Sequence, residues 1–179
     1  MQFSQLAAFV AAAATMVSAN SIKFLNQDGT QRTVYFTPAA GQATIDSVVI
    51  AAHSDATVEF PHGWIGNAHA VEDGQENRGF GMLAEVAFDG WLGKTYFDVS
   101  AIVDANDHTN VKMMYPADDQ SITSGCESFP CNNAYYLPDD VQTKVTEEKN
   151  LITTLGAASV AARDVNLETV GRNFVLGKL

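Results

Sequence analysis

Glu85 and Asp98 lie in two strand-like runs joined by a short turn. The runs are Leu83 to Phe88 and Thr95 to Val103, with Asp89-Gly90-Trp91-Leu92-Gly93-Lys94 between them. If Phe88 faces Thr95 across a hairpin, Glu85 stands opposite Asp98. Directly opposed residues hold their Cβ atoms about 4.5–5.5 Å apart, where like charges repel. Two carboxyls that close titrate as a coupled pair and hold one proton more tightly than usual. Alternation places Ala84, Val86, Phe88, Phe97, Val99 and Ala101 on one face, which reads as core. Leu83, Glu85, Tyr96, Asp98 and Ser100 share the other. Asp89, Asp104 and Asp107 add negative charge near the strand ends. The pattern predicts an acidic cleft beside Tyr96, with Trp91 in the intervening turn. Rings stack on the C–H faces of sugars, and carboxylates accept hydrogen bonds from hydroxyls, so the chemistry suits a sugar. The bland alternative is a solvated sheet face with alternating acids.

Other chemistry is weakly supported. His53, His62, His69 and His108 show no helical metal-ligand spacing, so no metal or other cofactor is expected. Asp104 to Asn110 looks like a calcium loop but lacks the glycine at its sixth position and the glutamate at its twelfth. No Gly-x-Ser-x-Gly elbow or phosphate-binding glycine loop is present. Cys126 and Cys131 are the only cysteines, which excludes a four-thiolate zinc site. In an oxidising compartment they pair and pin a small loop.

The elements that must carry these residues read mostly as β. Strand-like runs are Ile22 to Leu25, Arg32 to Phe36, Ala43 to Ala51, Thr57 to Phe60 and Val111 to Tyr115. His62 to Gly81, with five glycines, reads as a loop. Val141 to Leu155 fits a strand or a helix, and the tail beyond Ala157 has no assignable period. Short strands divided by turn signals predict a sandwich or barrel. The expected organisation is a leader over 1–19, a β domain over 20–156 and a C-terminal extension over 157–179. The leader rests on the apolar stretch from Leu6 to Val17, followed by Val17-Ser18-Ala19 as a cleavage pattern. Secretion to the extracellular space or cell wall follows.

Composition narrows the partners. The chain of 179 residues carries 10 Lys+Arg against 21 Asp+Glu, a formal charge of −11. That argues against nucleic acid and against anionic membranes. No run of 18 or more apolar residues occurs, so membrane insertion is not expected.

Leu83-Ala84-Glu85-Val86, Tyr96-Phe97-Asp98-Val99-Ser100 and Val103-Asp104-Ala105-Asn106 together resemble the thaumatin-like family. Ile22 to Asn26, Trp64-Ile65-Gly66-Asn67 and the run from Val111 to Pro116 resemble further parts of its pattern. The chain departs from that pattern in its single cysteine pair and in Asn67, where the family carries arginine. The resemblance implies a mainly β, antiparallel β-sandwich with loop-rich insertions and an acidic cleft that binds β-1,3-glucan. By motif, Glu85, Asp98 and Asp104 match cleft positions, with Tyr96 beside them. The chain also resembles a group of small secreted proteins of filamentous fungi, some described as deoxyribonuclease-like. An acidic chain without a metal-site pattern does not suit phosphodiester hydrolysis.

The expectation is a secreted monomer that binds cell-wall β-glucan without catalysis. Such a protein would remodel or mask the wall, or act as a virulence or host-interaction factor. One alternative is a weak endo-β-1,3-glucanase with Glu85 and Asp98 as its catalytic candidates. Another is an effector that binds a host surface protein.

Overall fold

The computed structural model describes residues 20–158. The leader expected over 1–19, and the extension past residue 158, lie outside the described residues. Within them the regular structure is almost all β, in two stacked sheets. The strands are β1 (Asn20–Asn26), β2 (Arg32–Pro38), β3 (Val48–Ile50), β4 (Asp55–Phe60), β5 (Ile65–Glu72) and β6 (Leu83–Ala87). They continue as β7 (Thr95–Ser100), β8 (Val111–Pro116), β9 (Ser124–Gly125), β10 (Lys144–Thr146) and β11 (Asn150–Leu155). One sheet runs β4-β1-β11-β8-β9 and the other β10-β7-β6-β5-β2-β3.

Period-two alternation builds both sheets. In β1, Ile22 and Phe24 are buried between the more exposed Lys23 and Leu25. In β6 and β7, Ala84, Val86, Phe97 and Val99 are buried as the pattern predicts. The two inner faces meet in an aromatic file. Phe24, Phe36 and Phe60 contact edge to face, and Phe60 then touches Trp64 and Phe88, with centroids 4.8–5.7 Å apart. These offset geometries suit the ring quadrupoles. The first and last strands, β1 and β11, pair in parallel. The sandwich is therefore mixed, not wholly antiparallel as expected.

Three segments differ from the sequence reading. His62 to Gly81 contains β5, a central strand of the second sheet, although its glycines read as loop. Gly66 explains the misreading. A Cβ there would lie 2.5 Å from both the Thr37 carbonyl oxygen and the Trp64 ring, so glycine is a packing requirement inside the strand. Ala43 to Ala51 keeps only Val48–Ile50 as strand. Val141 to Leu155 divides into β10 and β11.

Cys126 and Cys131 form a disulfide just after β9. Loop-closure entropy for so short a ring is about 2 kcal/mol. The double variant Cys126→Ser/Cys131→Ser is expected to lose about that much stability in urea unfolding while keeping its β circular dichroism. Complete unfolding would show that the bridge holds the domain together, not the loop alone.

Candidate functional site

The β6–β7 hairpin fixes the register. Asp89, at its turn, takes a positive φ of 52°. Its carboxylate accepts from Asn20 Nδ2 at 2.8 Å, the Gly63 amide at 3.0 Å and Lys149 Nζ at 2.6 Å. Burial opposes its ionisation, but these donors outweigh burial and hold its pKa at about 2. With the turn anchored from three directions, Glu85 pairs directly with Asp98.

A polar row runs across the second sheet through this pair. Thr37 faces Asn67, Asn67 faces Glu85, and Glu85 faces Asp98. Thr143, just before β10, donates to Asp98 Oδ2 at 3.3 Å. Tyr135 and Thr143 join their hydroxyls at 2.8 Å, which ties the segment before β10 to the row. Thr37, Asn67, Glu85, Asp98 and Thr143 line a groove of about 360 Å³, whose walls include Pro38, Ile65 and Tyr96.

Asp98 lies at the buried end of this row, only 7% exposed. Burial, and then the adjoining Glu85 carboxyl, push its pKa up to about 7. Its Oδ1 is buried with no donor partner. A carboxyl facing a carboxyl finds no N–H or O–H there unless one of the two is protonated, and the raised pKa lets Asp98 keep its proton toward neutrality. The site thus offers a neutral acid, an acceptor carboxylate, an amide and two hydroxyls, bordered by apolar walls. That set can hydrogen-bond a hydroxyl-rich, neutral ligand. Among the described residues no group of three or more His, Cys, Asp or Glu is arranged to hold a metal ion.

The structure brings together Glu85, Asp98 and Tyr96, and places Asp104 elsewhere. Asp104 accepts from Arg78 at 2.8 Å and lines a second groove of about 580 Å³ with Glu72, Glu76 and Asp107. It therefore cannot act with the Glu85–Asp98 pair on one small ligand group. Tyr96 is half-exposed, and its hydroxyl donates to the Trp91 carbonyl at 3.2 Å. The face expected to be polar and open is partly closed. Ser100 is 2% exposed because the chain returns along the edge of β7, with Ala101 and Val99 bonded to Tyr135. Thr37 and Thr143 were not singled out by sequence. They reach the row through pairings of distant segments, which leave no local pattern. Asn67 had a signal, the alternation of Ile65 and Asn67 with the buried Ala68 and Ala70, hidden by the glycine-rich context.

No family model matches the chain. It is 52% identical over 139 residues to the antigenic protein SchS21 of Stachybotrys chartarum, covering 78% of this chain and 96% of that protein. Among solved structures, the protein elicitor MoHrip2 from Magnaporthe oryzae matches with a TM-score of 0.62 at 16% identity. That match covers 78% of this chain and 100% of the other, and shows the fold alone. The thaumatin-like assignment is thereby corrected, because the matches are to an antigenic protein and an elicitor. Short strand motifs such as Phe97-Asp98-Val99-Ser100 report the alternation of one hairpin, and a hairpin does not identify a family. Neither match is named for a nuclease.

Proposed function

The chain belongs to the family of the antigenic protein SchS21, and from that premise we propose a secreted fungal host-interaction protein that binds a neutral cell-wall polysaccharide in the Glu85–Asp98 groove. The observation that carries the binding reading is the directly opposed Glu85–Asp98 carboxyl pair set in a groove. A buried like-charged pair costs stability, and perturbed carboxyls in a cleft mark binding sites more often than chance. The secreted reading draws on the antigenic relative and on Val17-Ser18-Ala19.

Binding fits better than hydrolysis. Retaining glycosidases hold their carboxyls about 5–5.5 Å apart and inverting ones about 6.5–9.5 Å. Glu85 and Asp98 stand directly opposite each other across β6 and β7, but Asp98 is buried, so of the two carboxyls only Glu85 is open to a substrate. Among the described residues the groove holds no third acid, since Asp104 lines a different one.

The test is co-sedimentation of the secreted protein with insoluble β-1,3-glucan, chitin and cellulose. Wild type is expected to bind one of them saturably, without release of reducing sugar. Glu85→Gln removes the charged acceptor and is expected to weaken binding about tenfold. Sugar release would establish a hydrolase instead. Wild type left in the supernatant with all three would end the polysaccharide reading and direct the search to a host surface protein.

A further inference from the structure

The β6–β7 turn exposes two large apolar residues side by side. Trp91 is 76% exposed and Leu92 70%. Leu92 adopts a left-handed φ of 57°, a conformation unfavourable for a branched side chain and most often kept where it serves a site. The turn is nevertheless well defined. Gly90 donates to Lys94 O and Gly93 to Gly90 O, each at 2.8 Å, and Asp89 anchors the base to three donors.

This turn is continuous with the groove. A Cβ on Gly90 would stand 3.0 Å from the Tyr96 ring, so the groove wall rests on the turn backbone. The Tyr96 hydroxyl then donates to the Trp91 carbonyl. Along the strand, the turn begins at Asp89, four residues past Glu85, on the order of 13 Å away at the rise of a β-strand.

We propose that Trp91 is an outer aromatic platform of the polysaccharide groove, engaged only by ligands long enough to reach it from the Glu85–Asp98 pair. The inference rests on the polysaccharide reading above and adds chain-length selectivity to it. A neutral sugar chain suits both parts, since its hydroxyls meet the polar row and its C–H faces meet the indole. Two apolar side chains on a chain of net charge −11 make a poor lipid anchor by comparison.

Calorimetric titration with disaccharides and hexasaccharides of β-1,3-glucan, chitin and cellulose tests the proposal. Wild type is expected to bind one hexasaccharide about tenfold more tightly than its disaccharide. Trp91→Ala should abolish that preference and leave the disaccharide affinity unchanged. Trp91→Phe should retain most of it, and both variants should keep the wild-type melting temperature. Glu85→Gln should weaken both lengths alike. An unchanged hexasaccharide preference in Trp91→Ala overturns the platform while the groove reading stands. Wild type that binds none of the sugars overturns both. Binding of wild type, but not Trp91→Ala, to phosphatidylcholine vesicles with the sugar preference intact would assign the turn to lipid and overturn the proposal.

Discussion

Arg32→Ala is expected to lower stability by about 3–5 kcal/mol, the cost of breaking a buried ion pair by removing one partner. The Arg32 side chain is 1% exposed, at the end of the sandwich where β2 leaves its turn. Its Nη1 donates to Asp28 Oδ1 at 2.6 Å, Asn26 Oδ1 at 2.8 Å and the Thr30 carbonyl at 3.0 Å. Its Nη2 donates to Asp28 Oδ2 at 3.0 Å, Glu72 Oε1 at 3.1 Å and the Thr109 carbonyl at 2.8 Å. Nε reaches Asn110 Oδ1 at 3.3 Å. One guanidinium therefore joins β1, β2, β5 and the loop before β8. Burial works against ionisation of Asp28, but hydrogen bonding and attraction from Arg32 hold its carboxyl below the usual range. Without Arg32, two partly buried carboxylates and two carbonyls lose their donor at once. Arg32→Lys should recover little, because one ammonium cannot reproduce a planar fork with five donors. Urea unfolding of both variants measures the loss. A cost under about 1 kcal/mol would mean that Asp28 and Glu72 relax into solvent, as surface pairs do.

This hub was invisible in the sequence. Arg32 opens a strand-like run, and a basic residue there reads as solvated. Its acceptors are spread from Asn26 to Asn110, and only the closed sandwich assembles them. The hairpin was legible for the opposite reason. Every constraint on Glu85 and Asp98 is local: two alternating runs, a six-residue turn and apolar partners at the right parity. That was enough to place the two carboxyls face to face, as the structure does. The remainder of the groove comes from β5 and from the segment before β10. Gly66 disguised β5, and Thr143 lies in a stretch whose apolar spacing fitted strand and helix alike. Asp104 was grouped with the pair by motif order. Motif order carries no distance, and the chain turns away after β7 to set Asp104 against Arg78. Parallel pairing of β1 with β11 was likewise unreadable, because it joins residues about as far apart in sequence as the described chain allows.

Asp98→Asn is expected to make the protein more stable than wild type at pH 8 and to flatten its pH profile. In the unfolded chain Asp98 titrates near its ordinary 3.8, and in the fold near 7. Below pH 3.8 both states hold the proton, and stability does not depend on this group. Between 3.8 and about 7 the folded state binds more protons than the unfolded state, so each rise in pH costs stability. Above about 7 both states are ionised, and the full penalty of a second buried carboxylate beside Glu85 is present. Each pKa unit corresponds to about 1.4 kcal/mol, which makes the loss on the order of 4 kcal/mol across that window. Asparagine keeps the shape and can donate to Glu85, and it does not ionise. Urea unfolding of wild type and Asp98→Asn at pH 5 and pH 8 isolates the effect, since every other titrating group is common to both. Wild type should lose stability from pH 5 to pH 8 relative to the variant. Parallel profiles would show that the fold does not raise the pKa of Asp98. The groove would then present two adjacent carboxylates, a poor match for the neutral ligand proposed.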